Sequence, residues 1–498
     1  LWSIMSTSIT NLPPEMIEQI FGHLQPRERL VVSGTCKSWR KLAFSPKFCK
    51  RLYLHLRSAD DIVCKIRAGT ISELCRNAVI SCNGISDDHK TPLIEYLLNA
   101  PLESLKIVTA KETAKWILNP HLAQMAMLET LHLDLRDCDG EVLRITHPTL
   151  KTAIFDRMGT FEIDCPNLSA LKSYLPDEKS VDSIKSLRGQ LQSLSVSSGV
   201  GRVCAALSDV EWSDLTELDI AIVPARYDLE KLLGRMPCLK KLALRDQYTF
   251  PSVGKEFGVA KSLSELVLDK MKINEEFNKS LRRLPLLENL TLIDVISTAL
   301  GEDRRFKSSN IKRLTFVHRH PNLLPDFPNL KFMELQCAED GLSELLEELC
   351  IYYPKLEHLS FGVAPGQLGM FQTQYEYPET KSFGHLEKLK FLRTLQLNRL
   401  AMGTLDWTSY SEVRIERLRL DGCSIDGWAA QQMVQIFNQL RQLFFDHCYL
   451  RQPSADVFDL DDNFTPGLRS QLPRCAISYY DCHIEEMHEV CGGRRDVI

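Results

Sequence analysis

The chain has 498 residues, 44% of them apolar, which suits about three ordinary domains or one extended array of repeats. Its net charge of -5 gives no electrostatic case for nucleic-acid binding, and no apolar run reaches the roughly 20 residues of a membrane-spanning helix. The opening residues, LWSIMSTS, contain neither a basic region nor a long apolar stretch. We therefore expect no secretory signal and a disordered tail over residues 1–8.

The sixteen cysteines are scattered along the chain without CxxC pairs or a compact framework. In a chain of this length, that distribution is typical of reduced thiols rather than of a disulfide scaffold. We therefore expect the protein in the cytoplasm, in the nucleus or in both.

Residues 9–49 carry apolar side chains at helical spacing in three short stretches. Pro14 and Glu15 suit the first turn of a helix, and Pro26 suits the start of the next one. The first stretch contains Met16, Ile17, Ile20, Phe21 and Leu24. The third stretch contains Cys36, Trp39 and Ala43 at i, i+3 and i+7. Three helices of this size bury little surface, so we expect the segment to pack on a partner or on the rest of the chain.

A pattern of the form Leu-x-x-Leu-x-Leu recurs from residue 50 to residue 485. Six copies between residues 191 and 317 follow one another at intervals of 24 residues, and looser copies extend the series on both sides. Counting all copies gives eighteen units. Their second apolar positions are Leu52, Ala78, Leu105, Leu131, Ala153, Leu171, Leu194, Leu218, Leu242, Leu266, Leu290, Leu314, Met333, Leu359, Leu395, Leu418, Leu443 and Ile477.

The second and third apolar positions of each copy lie two residues apart, so both point to one face of a short strand. No single unit can bury its leucines alone, so each unit depends on its neighbours. The pattern resembles the leucine-rich repeat, in which Asn or Cys follows the strand at a turn position. Cys423, Cys448, Cys482 and Asn83 occupy that position here. The resemblance implies an α/β leucine-rich-repeat solenoid over residues 50–485, a horseshoe of about eighteen units with one concave sheet.

Residues between the strand anchors alternate outward and would line the concave sheet. In the central units they have mixed charge: Glu217, Asp219, Lys241, Arg245, Glu265, Asp269 and Arg313. Toward the C-terminus they include Phe332, His358, Arg417, Arg419, Phe444 and Tyr480. Aromatic and arginine residues are frequent in binding hot spots, so this is a candidate substrate surface; the alternative is a solvated face with chance aromatic residues. Arg313, Arg417 and Arg419 are also a hypothetical contact for a phosphate.

Two inserts lengthen the interval between anchors. The first, GQLGMFQTQYEYPETKSFG, lies between Leu359 and Leu395. It contains Tyr375 among other aromatic residues, so it is a candidate substrate-binding loop. The second lies between Leu443 and Ile477 and contains the acidic run DVFDLDDNF, which is more typical of a solvated loop.

Motifs for catalysis are missing from the sequence, which contains no glycine-rich phosphate loop, HExxH helix or GxSxG elbow. The tail CHIEEMHEVC places Cys482, His483, His488 and Cys491 close together, but their spacing matches no common structural zinc site. We favour a last strand followed by a C-terminal cap or tail over residues 486–498. We therefore predict a protein without catalytic residues, metal or cofactor.

The N-terminal segment resembles an F-box. The similarity covers residues 9–48 and rests on the runs LPPE from Leu12, IF from Ile20 and CKSWR from Cys36. With repeats directly after it, the chain is similar to the F-box and leucine-rich-repeat proteins. In that family the F-box binds a Skp-type adaptor joined to a cullin scaffold, and the repeats capture a protein substrate for ubiquitin transfer. The resemblance implies a non-catalytic substrate receptor of an SCF-type ubiquitin ligase.

The resemblance also assigns nine residues to form or support the adaptor-facing surface. They are Leu12, Pro13, Glu15, Ile20, Leu24, Leu30, Val32, Cys36 and Trp39. Three positions depart from the family pattern: Arg29 replaces a common leucine, Thr35 a usual valine, and Cys49 a frequent final tryptophan. The alternative is an interaction scaffold whose first helices cap the array or bind the adaptor without building a ligase.

Overall fold

The structure is a computed structural model. It describes residues 12–24, 26–43, 45, 48, 53–58, 75–81, 85, 87–136, 142–156, 160–174, 178–197, 200–221, 228–246, 250–297, 306–318, 325–337, 342–363, 386–400, 402, 414–437, 439–451, 472, 474–480 and 483–485. The chain divides into two compact units, Leu1–Ile220 and Ala221–Ile498.

The N-terminal unit begins with three short helices, as the spacing predicts. They are α1 (Pro14–His23), α2 (Pro26–Ser33) and α3 (Lys37–Ala43). Helix α1 begins at a proline, which needs no hydrogen-bond acceptor in a first turn, and Glu15 complements the positive end of the helix dipole. The helix ends where Leu24 adopts an extended conformation. Helix α3 begins after Cys36, whose Sγ accepts the backbone N–H of Trp39 over 3.4 Å.

Eight parallel strands form a ladder in the described part of the same unit. They are Tyr53–Leu56, Asn77–Ile80, Ser104–Ala110, Thr130–Arg136, Thr152–Asp156, Ala170–Ser173, Ser193–Val196 and Glu217–Ala221. The hydrogen-bond register aligns Leu54, Ala78, Leu105, Leu131, Ala153, Leu171, Leu194 and Leu218. Every aligned residue is buried because alternate side chains of each strand face the covered side of the sheet.

Ten parallel strands form the ladder of the described C-terminal unit. They are Lys241–Arg245, Glu265–Asp269, Asn289–Ile293, Arg313–His318, Phe332–Cys337, His358–Val363, Thr394–Asn398, Arg417–Asp421, Gln442–Asp446 and Ala476–Tyr480. Their register aligns Leu242, Leu266, Leu290, Leu314, Met333, Leu359, Leu395, Leu418, Leu443 and Ile477. The predicted anchors from Ala78 to Ile477 are therefore confirmed within each unit.

The first predicted anchor is wrong by two residues. Leu54, not Leu52, lies in register with Ala78, and Leu56 supplies the second buried side chain of that strand. Leu52 itself lies outside the described residues.

Helices and short secondary strands cover the apolar side of the ladders. The α-helices are Asp87–Asn99, Lys111–His121, Glu178–Ser186, Val200–Ser208, Leu229–Gly234, Glu275–Leu281, Leu342–Tyr352 and Gly427–Ile436. Single 3-10 turns are Leu122–Gln124, Lys255–Val259 and Leu386–Lys388. Small parallel sheets join Leu143–Thr146 with Phe161–Asp164, then Ser252–Val253, Lys272–Ile273 and Ile296–Ser297, then Ser424–Asp426, Tyr449–Arg451 and His483–Glu485. The repeating strand and its cover make the α/β leucine-rich-repeat solenoid that the sequence predicts.

One covering helix shows how local sequence places the core. Asn274 caps Glu275–Leu281 by accepting the backbone N–H of Phe277 over 3.2 Å. The helix directs Phe277 inward, where its ring lies 5.6 Å from Phe257 and 5.7 Å from Phe306, both edge-on. Burying a phenyl side chain contributes about 1.5–3 kcal/mol, so such stacks hold successive units together.

The turn after the strand repeats the same backbone conformation in several units. Lys270, Asp294, Arg399, Gly422 and His447 each have positive φ, between 47° and 61°, directly after the strand's last residue. The next residue points inward. At two units this residue is the predicted cysteine: the Cys423 thiol donates to Leu397 O over 3.3 Å, and the Cys448 thiol to Leu420 O over 3.2 Å. Burial raises the pKa of the Cys423 thiol to about 12, so it stays protonated. Cys482 and Asn83 lie outside the described residues.

Neither insert interrupts the ladder. Leu359 pairs directly with Leu395, and Leu443 pairs directly with Ile477, so the sheet continues across both long connections. The inserts themselves, including Tyr375, lie outside the described residues. Among the described helices, none combines the length and the apolar character needed to cross a membrane.

Candidate functional site

The three N-terminal helices enclose a small apolar core. Ile17, Phe21, Ala43 and Phe48 are buried in it, and the Phe21 ring meets Trp39 edge-on with 5.5 Å between centroids. A core of this size stabilises a module only weakly, because most of the module's surface stays in water.

The structure divides the predicted adaptor residues into two groups. Leu12, Leu24, Val32 and Trp39 are half-buried against the core and support the module from within. Pro13, Glu15, Ile20 and Cys36 are exposed. Leu30 lies in α2, and its side chain is outside what the structure describes.

Two exposed apolar residues add to this surface and were not among the nine predicted ones. Met16, one helical turn before Ile20 in α1, is 49% exposed, compared with 38% for Ile20, and Val31 in α2 is 76% exposed. Several exposed apolar side chains on one small module indicate an interaction surface. The helical spacing of apolar residues in the sequence could have indicated Met16, because it belongs to the same amphipathic stripe as Ile20.

The departure at Arg29 has a structural explanation. Its guanidinium lies 4.7 Å from the centroid of the Phe48 ring, so a cation–π contact covers the aromatic ring that a leucine would cover by simple packing. Thr35 donates its hydroxyl to Val32 O over 2.7 Å and closes the turn between α2 and α3. Cys49 lies outside the described residues.

The second candidate surface is the open face of the C-terminal ladder, formed by the outward side chains of its strands. Arg313, Phe332, His358, Thr394 and Arg417 lie side by side on five consecutive strands. Because neighbouring strands are about 4.8 Å apart, these residues form one continuous row.

Within this row, four residues form what we call the Arg313 patch: Arg313, Phe332, His358 and Arg417. The guanidinium of Arg313 lies 4.0 Å from the centroid of the Phe332 ring, and that ring lies 6.0 Å from the His358 ring. Burial lowers the pKa of His358; Glu357 opposes the shift, and the charges of Arg313 and Arg417 reinforce it. The positive charges of both arginines therefore disfavour protonation of the His358 ring.

A row of ion pairs borders the patch. Lys312 pairs with Glu288 over 2.5 Å, Lys331 with Glu357 over 2.7 Å, and Arg393 with Glu416 over 2.7 Å. Hydrogen bonding to Lys331 lowers the pKa of Glu357. Exposed pairs of this kind contribute about 0–1 kcal/mol each, so their main consequence is that they neutralise the border.

The arginines of the patch differ from the basic residues of the border. In the described part of the chain, no carboxylate lies within ion-pair distance of Arg313 or Arg417. Glu334, on the adjacent row, accepts hydrogen bonds from Gln336 over 2.8 Å and Thr315 over 3.4 Å. Arg419, two residues from Arg417, instead pairs with Asp446 on the next strand. Of the three arginines predicted as a phosphate contact, Arg419 is neutralised, and Arg313 and Arg417 have no carboxylate partner among the described residues.

The other predicted substrate residues are less informative. Phe444 is 37% exposed on the open face, next to Arg419 in register. Tyr480 lies at the end of the last ladder strand, and its side chain is outside the described set.

Metal-ligand geometry occurs at one place among the described residues. Asp421, Asp446 and His447 offer ligand atoms within 4.8 Å of one another. Arg419 pairs with Asp446, so the protein itself supplies a counter-charge there, and His447 Nδ1 lies 2.7 Å from an Asp446 oxygen. The side chains of the zinc-like set, Cys482, His483, His488 and Cys491, are outside the described part.

Comparisons with known proteins support the N-terminal assignment. Residues 9–55 match the family model described as F-box-like. No curated protein sequence matches the chain. F-box domains generally bind Skp-type adaptors, and F-box and leucine-rich-repeat folds are typically non-catalytic, so the architecture is that of a protein-interaction adaptor.

Two solved structures are similar over most of the chain. The TLR13–ssRNA13 complex has 15% sequence identity and a TM-score of 0.42, with 84% of this chain and 63% of that chain covered. The mouse RP105/MD-1 complex has 12% identity and a TM-score of 0.38, with 84% of this chain and 88% of that chain covered. The chain thus spans 63% of the length of the first of these proteins.

Proposed function

We propose that the chain is the substrate-recognition subunit of a Skp-cullin-F-box ubiquitin ligase. The observation that carries this proposal is the apolar surface of the α1–α3 module, where Met16, Ile20 and Val31 are exposed within the segment that matches the F-box-like family. An apolar surface on a module with so small a core favours an obligatory partner.

The two surfaces would divide the work of the receptor. Residues 9–49 would bind a Skp-type adaptor and, through it, a cullin scaffold. The repeats, over residues 50–485, would hold a protein substrate, with residues 486–498 as a terminal cap or tail. Such an assembly would act in the cytoplasm or the nucleus.

This function requires no catalytic group in the chain. A receptor that holds a substrate beside a charged conjugating enzyme raises the effective concentration of the substrate lysine.

The test is co-expression of the full chain with a Skp-type adaptor, followed by size-exclusion chromatography. We expect a 1:1 complex, and at least tenfold weaker binding, about 1.4 kcal/mol or more, for Ile20→Glu, because the new carboxylate would be buried against an apolar partner surface. Val259→Glu is the matched control, since Val259 is 39% exposed and belongs to the other unit. A folded chain that ignores the adaptor would leave the alternative, an interaction scaffold with a helical cap.

A further inference from the structure

The C-terminal ladder ends at the strand Ala476–Tyr480, which has one neighbour. It pairs with Gln442–Asp446, and no later strand within the described residues pairs with its other side. Its anchor, Ile477, is only half-buried, whereas the aligned Leu443 of the neighbouring strand is buried. Because neighbours on both sides bury an anchor completely, the partial exposure of Ile477 marks an uncovered edge of the sheet.

The backbone of this strand directs polar groups to its unpaired side. The Ala476 N–H donates to Arg441 O over 2.8 Å, so the groups of Ala476 point toward the neighbouring strand. Successive residues of a strand in a parallel sheet direct their N–H and C=O groups to opposite sides. Ile477 and Tyr479 therefore direct theirs to the other side, which we call the terminal edge. Such groups are a template for the pairing of a further strand.

The sequence of the terminal edge does not protect it against a further strand. Edge strands are commonly protected by charged side chains or by proline. The run Ala-Ile-Ser-Tyr-Tyr contains neither, and isoleucine and tyrosine favour an extended backbone. The two preceding strands, Arg417–Asp421 and Gln442–Asp446, both contain charged residues. The terminal edge therefore combines unpaired backbone groups with a sequence that favours strand pairing.

We propose that the terminal edges of two copies of this chain pair with each other as antiparallel strands. With a two-fold axis at Ser478, Ile477 of each copy lies opposite Tyr479 of the other, and each such pair exchanges N–H···O=C bonds in both directions. These bonds use every backbone polar group that Ile477 and Tyr479 direct to the terminal edge. The contact also covers the half-buried Ile477.

A second copy suits the terminal edge for two reasons. A two-fold contact places this five-residue strand opposite itself, and because the strand has no charge, no like charges face each other. The contact is also closed, since neither copy keeps a terminal edge once it forms and growth stops at two. Five residues from each copy are far fewer than the roughly 20–30 residues per side of a stable complex, so we expect a weak dimer with a dissociation constant of about 10–100 µM.

The test is sedimentation equilibrium of the full chain at concentrations from about 1 to about 300 µM, a range that spans the expected dissociation constant. We expect the average mass to rise from that of a monomer toward that of a dimer and no further. A chain that stays monomeric over this range would overturn the proposal. Growth beyond two copies would also overturn it, because the proposed contact is closed.

Charge exchange at Ser478 tests the position of the two-fold axis. Ser478 is exposed, and across the axis it lies opposite the same residue of the second copy. Ser478→Glu and Ser478→Lys place like charges opposite each other, so each variant alone should dimerise at least about fivefold more weakly. An equal mixture of the two should recover the original dissociation constant within about twofold, because opposite charges then meet. A mixture that does not recover would overturn the proposed pairing.

Two further variants separate backbone pairing from a general effect of charge. Tyr479→Pro removes an N–H directed to the terminal edge and none that Gln442–Asp446 uses, so dimerisation should weaken at least about tenfold. Ser309→Glu is the matched control for Ser478→Glu, because Ser309 is exposed and precedes Arg313–His318, a strand that does not pair with the last one. The control should change the dissociation constant less than about twofold. Equal weakening by both glutamate variants would contradict the proposal, and thermal unfolding of each variant checks that the fold is kept.

Adaptor binding, measured on the same samples, separates this inference from the proposed function, on which it does not depend. At low concentration the complex should contain one copy of each chain, and near the top of the range two copies of each. If the adaptor binds and the complex stays 1:1 at every concentration, the dimer is wrong and the receptor function stands. If the chain dimerises and ignores the adaptor, the dimer stands and the ligase function is wrong.

Discussion

The α1–α3 module and the C-terminal ladder bury their apolar residues in different ways. The module relies on four buried side chains, Phe21 among them, and it leaves Met16, Ile20 and Val31 exposed. In the ladder each strand buries its anchors between two neighbouring strands, as Leu266 does between Leu242 and Leu290. Stability in the module is therefore local, whereas in the ladder it is shared along the array.

The same difference applies to what each region exposes. The exposed side chains of the module include the apolar Met16, Ile20 and Val31, which favours a permanent partner, since such surface is costly to leave in water. The open face of the ladder exposes charged and aromatic side chains, such as Arg313 and Arg417, whose contacts can form and dissociate. A stable adaptor at one surface and a transient substrate at the other would suit this pairing.

The largest expected effect is at Gly362 in the ladder. A Cβ at this position would overlap the backbone oxygen of Asn398 on the next strand. Gly362→Ala must therefore separate two paired strands, and we expect about 5 kcal/mol or more of destabilisation with a clear fall in the Tm of the C-terminal unit. Gly189→Ala is the control, because a Cβ there meets nothing within 4 Å. Equal melting of the two variants would contradict the close approach of these strands.

The second expected effect is at Phe21 in the module. Phe21→Ala removes a ring from a core of four buried residues and from its edge-on contact with Trp39. We expect a loss of about 3–5 kcal/mol, enough to unfold the module while the ladder stays folded. Hydrogen exchange should show new exchange in residues 12–43 only, and Met16→Ala, at an exposed site, should leave exchange unchanged. Exchange that spreads into residues 241–446 would show that the two regions are not separate in stability.

The smallest expected effect is at the turn after a ladder strand. Lys270 has a φ of 55°, a backbone conformation that residues other than glycine rarely adopt. Lys270→Gly should raise the stability of the C-terminal unit by about 0.5–1 kcal/mol, because the strain of the left-handed conformation is removed. Lys272→Gly, inside the strand Lys272–Ile273, should instead lower it. Thermal unfolding of the two variants measures both signs, and a lower Tm for Lys270→Gly would contradict the assignment of strain.

Much of the ladder could be predicted because burial alternates with a period of two residues. Ala153, which replaces a leucine, still aligns with Leu131 and Leu171. The same period explains the error at the first strand, where Leu52, Leu54 and Leu56 all follow at intervals of two. A shift by two residues keeps every leucine on the same face, so the pattern alone does not determine which one pairs with Ala78.

The binding surface was less predictable because its charges depend on distant partners. Arg417 and Arg419 point from the same strand and look equivalent in sequence. Asp446, twenty-seven residues after Arg419, neutralises only that one. The sequence also does not separate Ile17 from Ile20. Both lie in one helical stripe, yet only Ile17 is buried in the core.

The most direct test of the division between the two surfaces is hydrogen exchange of the full chain with and without a Skp-type adaptor. We predict that the adaptor slows exchange in peptides that cover residues 12–43 and leaves exchange in peptides from the open face, residues 313–318 and 417–421, unchanged. Protection of the open face, with none in the α1–α3 module, would contradict it.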